Sequence, residues 1–139
     1  MRVLLDTNVL ASAFGSRGLC ADVLRVILSE HELVTGEVVI EELGRALIKK
    51  FGMPADIVSG YERFLRGYHV EPKPRQLPNL DLSERADLMV VGSALALNAK
   101  AEFLVTGDHE MLALKEMPQG LRIISPREFW NLAARTPSR

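Results

Sequence analysis

Short apolar runs alternate with stretches of helical periodicity along the whole chain. Arg2 to Asp6 is a run of Val and Leu that ends in a carboxylate. A continuous apolar run of this length predicts a strand buried on both faces, as in a parallel sheet. Ala21, Leu24, Ile27 and Leu28 then recur at helical spacing. Glu32 to Thr35 predicts a second strand. Glu37 to Phe51 predicts a helix with Ile40, Leu43, Ala46 and Leu47 on one face, broken by Gly52-Met-Pro54. A further helix is expected over Ala55 to Gly67, and a brief strand at His69-Val70. Pro72, Pro74 and Pro78 mark an irregular connection. Ser83 has the form of an N-cap for a helix reaching to about Asn98, with Glu84 in its first turn. Phe103 to Thr106 predicts a strand running into Gly107-Asp108, and Arg122 to Ile124 the last strand. Ser125-Pro126-Arg127-Glu128 is a capping box with proline at the first helical position, opening a terminal helix that carries Phe129, Trp130 and Leu132. The tail, about 135–139, is expected to fray.

Strands alternating with helices imply an α/β fold with a parallel sheet covered on both faces. Ligands of such sheets sit beyond the carboxyl ends of the strands, where the strand order reverses. Acids that follow strands are therefore the candidates for chemistry. Asp6 ends the first strand and Asp108 the fourth. Glu42 lies on the helix after the second strand, off the centre of its buried face; Glu41 competes with it, and periodicity does not choose between them. Asp87 enters a helix that is apolar almost all round, where a carboxylate is costly unless something pairs with it. The helix dipole in the first turn offers a purely structural reason for an acid there.

Composition narrows the chemistry. The 139 residues argue for one domain, 1–139, and a hydrophobic content of 47% supplies a core. A formal net charge of −1 gives no global basic signature, so any contact with nucleic acid must use a local basic patch or metal-bridged phosphates. Cys20 is the sole cysteine, which excludes an internal disulfide and a Cys-rich zinc site; a small buried apolar side chain is its expected role. The N-terminus does not have the form of a signal peptide, and no run approaches the roughly 18 apolar residues of a membrane span. A cytosolic protein is the default. His31, His69 and His109 form no ligand motif, and only His109 falls near the acids.

Converging carboxylates without a matching Lys or Arg repel one another and raise some pKa values. A divalent cation relieves that repulsion, and hard oxygen donors favour Mg²⁺ or Mn²⁺ over zinc. Such ions, in pairs roughly 4 Å apart, suit hydrolysis of a phosphodiester, and they attract phosphate where basic surface is missing.

At these residues the chain resembles the PIN-domain family, and within it the VapC-like toxin branch. Leu4-Leu-Asp-Thr-Asn-Val-Leu10 looks like the family's opening strand with its Asp-Thr-Asn signature. Glu42-Leu43 matches the Glu-Leu pair of the second motif, which favours Glu42 over Glu41. Asp87 to Leu95 resembles the third-acid helix, and Leu104-Val-Thr-Gly-Asp108 the closing strand and fourth acid. Pro126-Arg-Glu-Phe129 is similar to the ending of a toxin-component branch. The resemblance covers nearly the whole chain. It implies a three-layer α/β/α sandwich, a catalytic and metal-holding set of Asp6, Glu42, Asp87 and Asp108 supported by Asn8 and Thr106, and Mg²⁺ or Mn²⁺ as cofactor. It further implies RNA as substrate, frequent homodimers and an antitoxin partner. Apolar residues such as Phe64, Leu65, Phe129 and Trp130 fit the expectation of self-association.

Other readings fit less well. A haloacid-dehalogenase-type phosphotransferase needs a second acid two residues after the first, where this chain has Asn8. A response-regulator receiver needs an acidic pair after its first strand and a late lysine. A PIN-fold module that binds protein or RNA without cleaving it remains the alternative, and the four acids argue against it.

Overall fold

The computed structural model describes residues 1–135; the tail expected to fray lies outside them, apart from the backbone of Arg135. The elements run β1 (Arg2–Leu5), α1 (Thr7–Gly15), α2 (Leu19–Glu30), β2 (Glu32–Gly36), α3 (Glu37–Phe51), α4 (Ala55–Leu65), β3 (His69–Glu71), α5 (Arg85–Leu95), β4 (Phe103–Val105), α6 (His109–Leu112), a 3₁₀ turn (Pro118–Gly120), β5 (Arg122–Ile124) and α7 (Pro126–Arg135). The five strands form one parallel sheet in the order β3-β2-β1-β4-β5. Val3, Leu4 and Leu5 are fully buried, as expected of a central strand covered on both faces.

The chain moves outward in one direction from β1 to β3, crosses back, and moves outward in the other direction from β4 to β5. Right-handed crossovers then put α1–α4 and α5–α6 on opposite faces, which gives the three-layer sandwich. The last helix, α7, packs on α2. Its start is the expected capping box: Ser125 N–H donates to Glu128 Oε1 at 3.0 Å, and Glu128 N–H donates to Ser125 Oγ at 3.1 Å. The expected stop of α3 is also present. Gly52 sits in the left-handed region (φ 61°, ψ 27°), where glycine is unstrained, and its N–H donates to Ile48 O at 3.1 Å.

Several local expectations fail for identifiable reasons. Helix α1 was not legible, because Asn8, Ser12 and Gly15 interrupt any apolar stripe; Asp6 caps it, and burial of Val9, Leu10 and Ala11 holds it. Ser83 does not cap α5. Its N–H and hydroxyl both go to the Glu110 carboxylate, at 2.9 and 2.6 Å, and Glu84 takes the cap position instead. That helix ends at Leu95, short of Asn98. Leu65 and Phe129 belong to the core, leaving Phe64 exposed and Trp130 half-buried. Cys20 is only half-buried. No helix among the described residues is long and apolar enough to cross a membrane.

Candidate functional site

The strand order reverses between β1 and β4, and the carboxyl ends of these two neighbours build the floor of the site. Their register ends on the pair Leu5–Val105, so the next residues, Asp6 and Thr106, lie side by side. The backbone carries this one step further: Asp6 N–H donates to Val105 O at 2.9 Å. Thr106 is fully buried and its hydroxyl donates to Asp6 Oδ2 at 2.7 Å. The same hydroxyl oxygen accepts from Asp108 N–H at 3.0 Å. One threonine thus fixes the orientation of Asp6 and the backbone entering Asp108. The second Asp6 oxygen accepts from Thr7 N–H at 2.8 Å.

Two helices close the site from above. Thr7 Oγ1 donates to Glu42 Oε1 at 3.4 Å, which links the start of α1 to α3. Glu41, one residue away, is exposed and pairs with Lys73 at 2.9 Å. Asp87 is the third residue of α5. That helix can approach because Gly36, at the end of β2, has no side chain: a Cβ there would stand 2.9 Å from Ser93 Oγ. The result is a cavity of about 380 Å³ lined by Asp6, Asn8, Glu42, Asp87, Asp108 and Glu110 among others. Thr106 supports it from below. His109 is exposed and does not line it.

The acids are held in an environment that resists their charge. Burial raises the pKa of Asp6, and Asp108 adds to the rise against the lowering effect of the Thr106 and Thr7 hydrogen bonds. Glu42 is raised by burial and then by Asp6, with Arg45 and Thr7 opposing. Asp87 is pushed up to about 7, first by burial, then by the charges of Asp108 and Asp6, by a hydrogen bond with Asp108 that only a protonated carboxyl can make, and by Glu84. The α5 dipole favours an anion by about 2 kcal/mol at most, roughly one and a half pKa units, and loses to these effects. Asp108 Oδ2 is buried and accepts no hydrogen bond.

An unpartnered buried carboxylate oxygen beside acids of raised pKa would be satisfied by a cation. All candidate donors are oxygens, which suits Mg²⁺ or Mn²⁺. Among the described residues no three acidic, imidazole or thiol side chains stand close enough to enclose a metal ion by themselves. A cation there would take most of its ligands from its own waters, as Mg²⁺ can. Two cations also line the cavity, Arg45 and Lys50. Sequence reasoning missed both residues; their positions three and eight residues after Glu42 on the same helix were the signal.

Comparison with known proteins gives three findings. A family model described as PIN domain matches residues 2–110. A solved structure of VapBC2 from Rickettsia felis, bound to a DNA fragment from their promoter, is similar with a TM-score of 0.63 and 18% identity; the match covers 90% of this chain and 98% of that one. At that identity the likeness carries the fold. No curated protein matches the sequence.

Proposed function

The chain belongs to the PIN-domain family, and from that premise we propose that it is a metal-dependent endoribonuclease, the toxin component of a toxin–antitoxin pair. The observation that carries the reading is the meeting of Asp6, Glu42, Asp87 and Asp108, from four different elements, in one cavity at the strand-order reversal, with Asp108 Oδ2 lacking a hydrogen-bond donor. These four carboxylates would hold Mg²⁺ or Mn²⁺. A cation bound there supplies Lewis acidity toward a phosphodiester and lowers the pKa of a water molecule.

The chain's own groups do the positioning. Thr106 restrains the Asp6 carboxylate through its hydroxyl and leaves it acceptor capacity for a cation. Asn8, exposed on the lining, offers an amide donor to a phosphate oxygen. Asp87, near 7 in the metal-free protein, would give up its proton when a cation binds. An antitoxin protein and a second copy of the chain are the proposed partners. Exposed Ile57 and Phe64, beside Phe14 and Tyr61, line an apolar groove available for such contacts.

The test is cleavage of mixed single-stranded RNA with Mg²⁺, with Mn²⁺ and with EDTA. Cleavage in either metal and none in EDTA is the expected result. Binding of RNA or of a partner protein with no cleavage under any condition would replace the nuclease by a catalytically silent PIN-fold binding module.

A further inference from the structure

Helix α3 brings two kinds of charge to one cavity. Glu42 is a candidate metal ligand, and Arg45 and Lys50 line the same cavity. At 1.5 Å per residue, Arg45 lies about 4.5 Å and Lys50 about 12 Å along the helix axis from Glu42. Both cations are exposed. Among the described residues, ion pairs engage Arg2, Arg25, Arg66, His69 and Lys73; neither Arg45 nor Lys50 is among them. Lys49, next to Lys50, is exposed as well but does not line the cavity. Six acids share this lining (Asp6, Glu42, Glu84, Asp87, Asp108 and Glu110), yet the two cations form no salt bridge with them.

We infer that Arg45 and Lys50 form a phosphate-binding rail along α3, which holds the backbone of single-stranded RNA to one side of the scissile phosphate. This rests on the nuclease reading. It supplies the local basic surface that the net charge of −1 otherwise denies. The carboxylates would bind a cation, while Arg45 and Lys50, exposed and outside the ion pairs named above, would bind an anion. A polyanion held at one phosphate through the cation and at neighbouring phosphates by Arg45 and Lys50 satisfies both. Arg45 suits a phosphate through its planar fork, Lys50 as a point charge on a flexible stem. Backbone contacts of this kind position a strand without reading its sequence. A purely structural role for Arg45, balancing Glu42, makes no demand on Lys50 and no contribution to the salt dependence of RNA binding.

The experiment measures binding of a labelled single-stranded RNA by fluorescence anisotropy across a salt series. It uses the Asp6→Asn, Asp108→Asn double variant as a cleavage-silent background. Into it go Arg45→Ala with Lys50→Ala, the swap Arg45→Lys with Lys50→Arg, and the control pair Lys100→Ala with Arg122→Ala. The control residues are exposed, at the amino ends of β4 and β5, and outside the cavity lining. The rail predicts that the alanine pair weakens binding tenfold or more. It should also lower the magnitude of the slope of log K against log salt by about 1.4, because each single-strand phosphate that is no longer neutralised removes roughly 0.7. The charge-preserving swap should retain the slope, and the control should leave it unchanged. An alanine pair that binds like the control overturns the rail and leaves the nuclease reading intact. A background that binds no RNA also overturns it, and cleavage by the wild-type protein then decides the nuclease reading separately.

Discussion

At the scale of single residues, Asp87 carries the clearest consequence of crowding carboxylates. Its folded pKa of about 7 lies far above the ordinary 3.8, and burial is the largest cause. Between those values the native state keeps a proton that the unfolded chain has released. Stability from this group is therefore lost as pH rises from about 4 to 7, the reverse of a salt-bridged aspartate. Asp6 and Glu42 shift in the same direction. Metal-free Asp87→Asn should melt higher than the wild type at pH 8, and the difference should shrink steadily toward pH 4. A difference that does not grow with pH in differential scanning calorimetry would remove the electrostatic account of the site. The residue scale also shows where sequence reasoning stops. Asp6 and Asp108 were legible because each follows an apolar strand. Periodicity could not choose between Glu42 and Glu41; in space Glu42 lines the cavity and bonds Thr7, while Glu41 pairs with Lys73. The role of Thr106 depends on the β1–β4 register, a pairing across 100 residues that no local pattern encodes.

Elements were legible where their boundaries are set by short-range chemistry. Helix α3 begins at Glu37 and ends at Phe51 as expected, because Gly52 supplies a left-handed stop. Helix α7 begins at Pro126 as expected, because Ser125 and Glu128 satisfy each other's backbone N–H groups. The start of α5 departs from expectation because the competing partner of Ser83 is 27 residues away in sequence. The same contact makes Glu110, on the cavity wall, a tether for the segment leading into Asp87. Capping at α7 gives a prediction confined to this scale. Ser125→Ala removes one reciprocal bond and should lower stability by about 1 kcal/mol, read as a lower urea midpoint with an unchanged m-value. Phe129 anchors α7 in the core through edge contacts with His31 and Phe103, so the helix should stay docked. Catalysis should be unaffected, since none of the described α7 side chains lines the cavity. An unchanged midpoint would mean that the capping box contributes nothing measurable.

The whole molecule explains why residues scattered from position 6 to position 108 can act together. A five-stranded parallel sheet that reverses its order between β1 and β4 leaves a crevice there, and the acid-bearing ends and helix starts open onto it. The alternation of strands and helices made that architecture legible, and the expected location of the ligand followed from it. Surface properties were less legible. Net charge conceals the two cations that line an otherwise acidic cavity, and total hydrophobicity does not say which apolar residues stay outside: Phe129 and Leu65 went into the core, while Ile48, Ile57 and Phe64 remain exposed. Self-association through that exposed surface predicts a dimer mass by light scattering at micromolar concentration, and a monomer mass contradicts it. The central claim is that the four carboxylates constitute one divalent-cation site. Its most direct test is calorimetric titration of Mn²⁺ into the metal-free wild type and into the folded Asp6→Asn, Asp108→Asn double variant. Saturable binding in the wild type that disappears in the double variant is the predicted result; no binding in the wild type, or equal binding in both proteins, would contradict it.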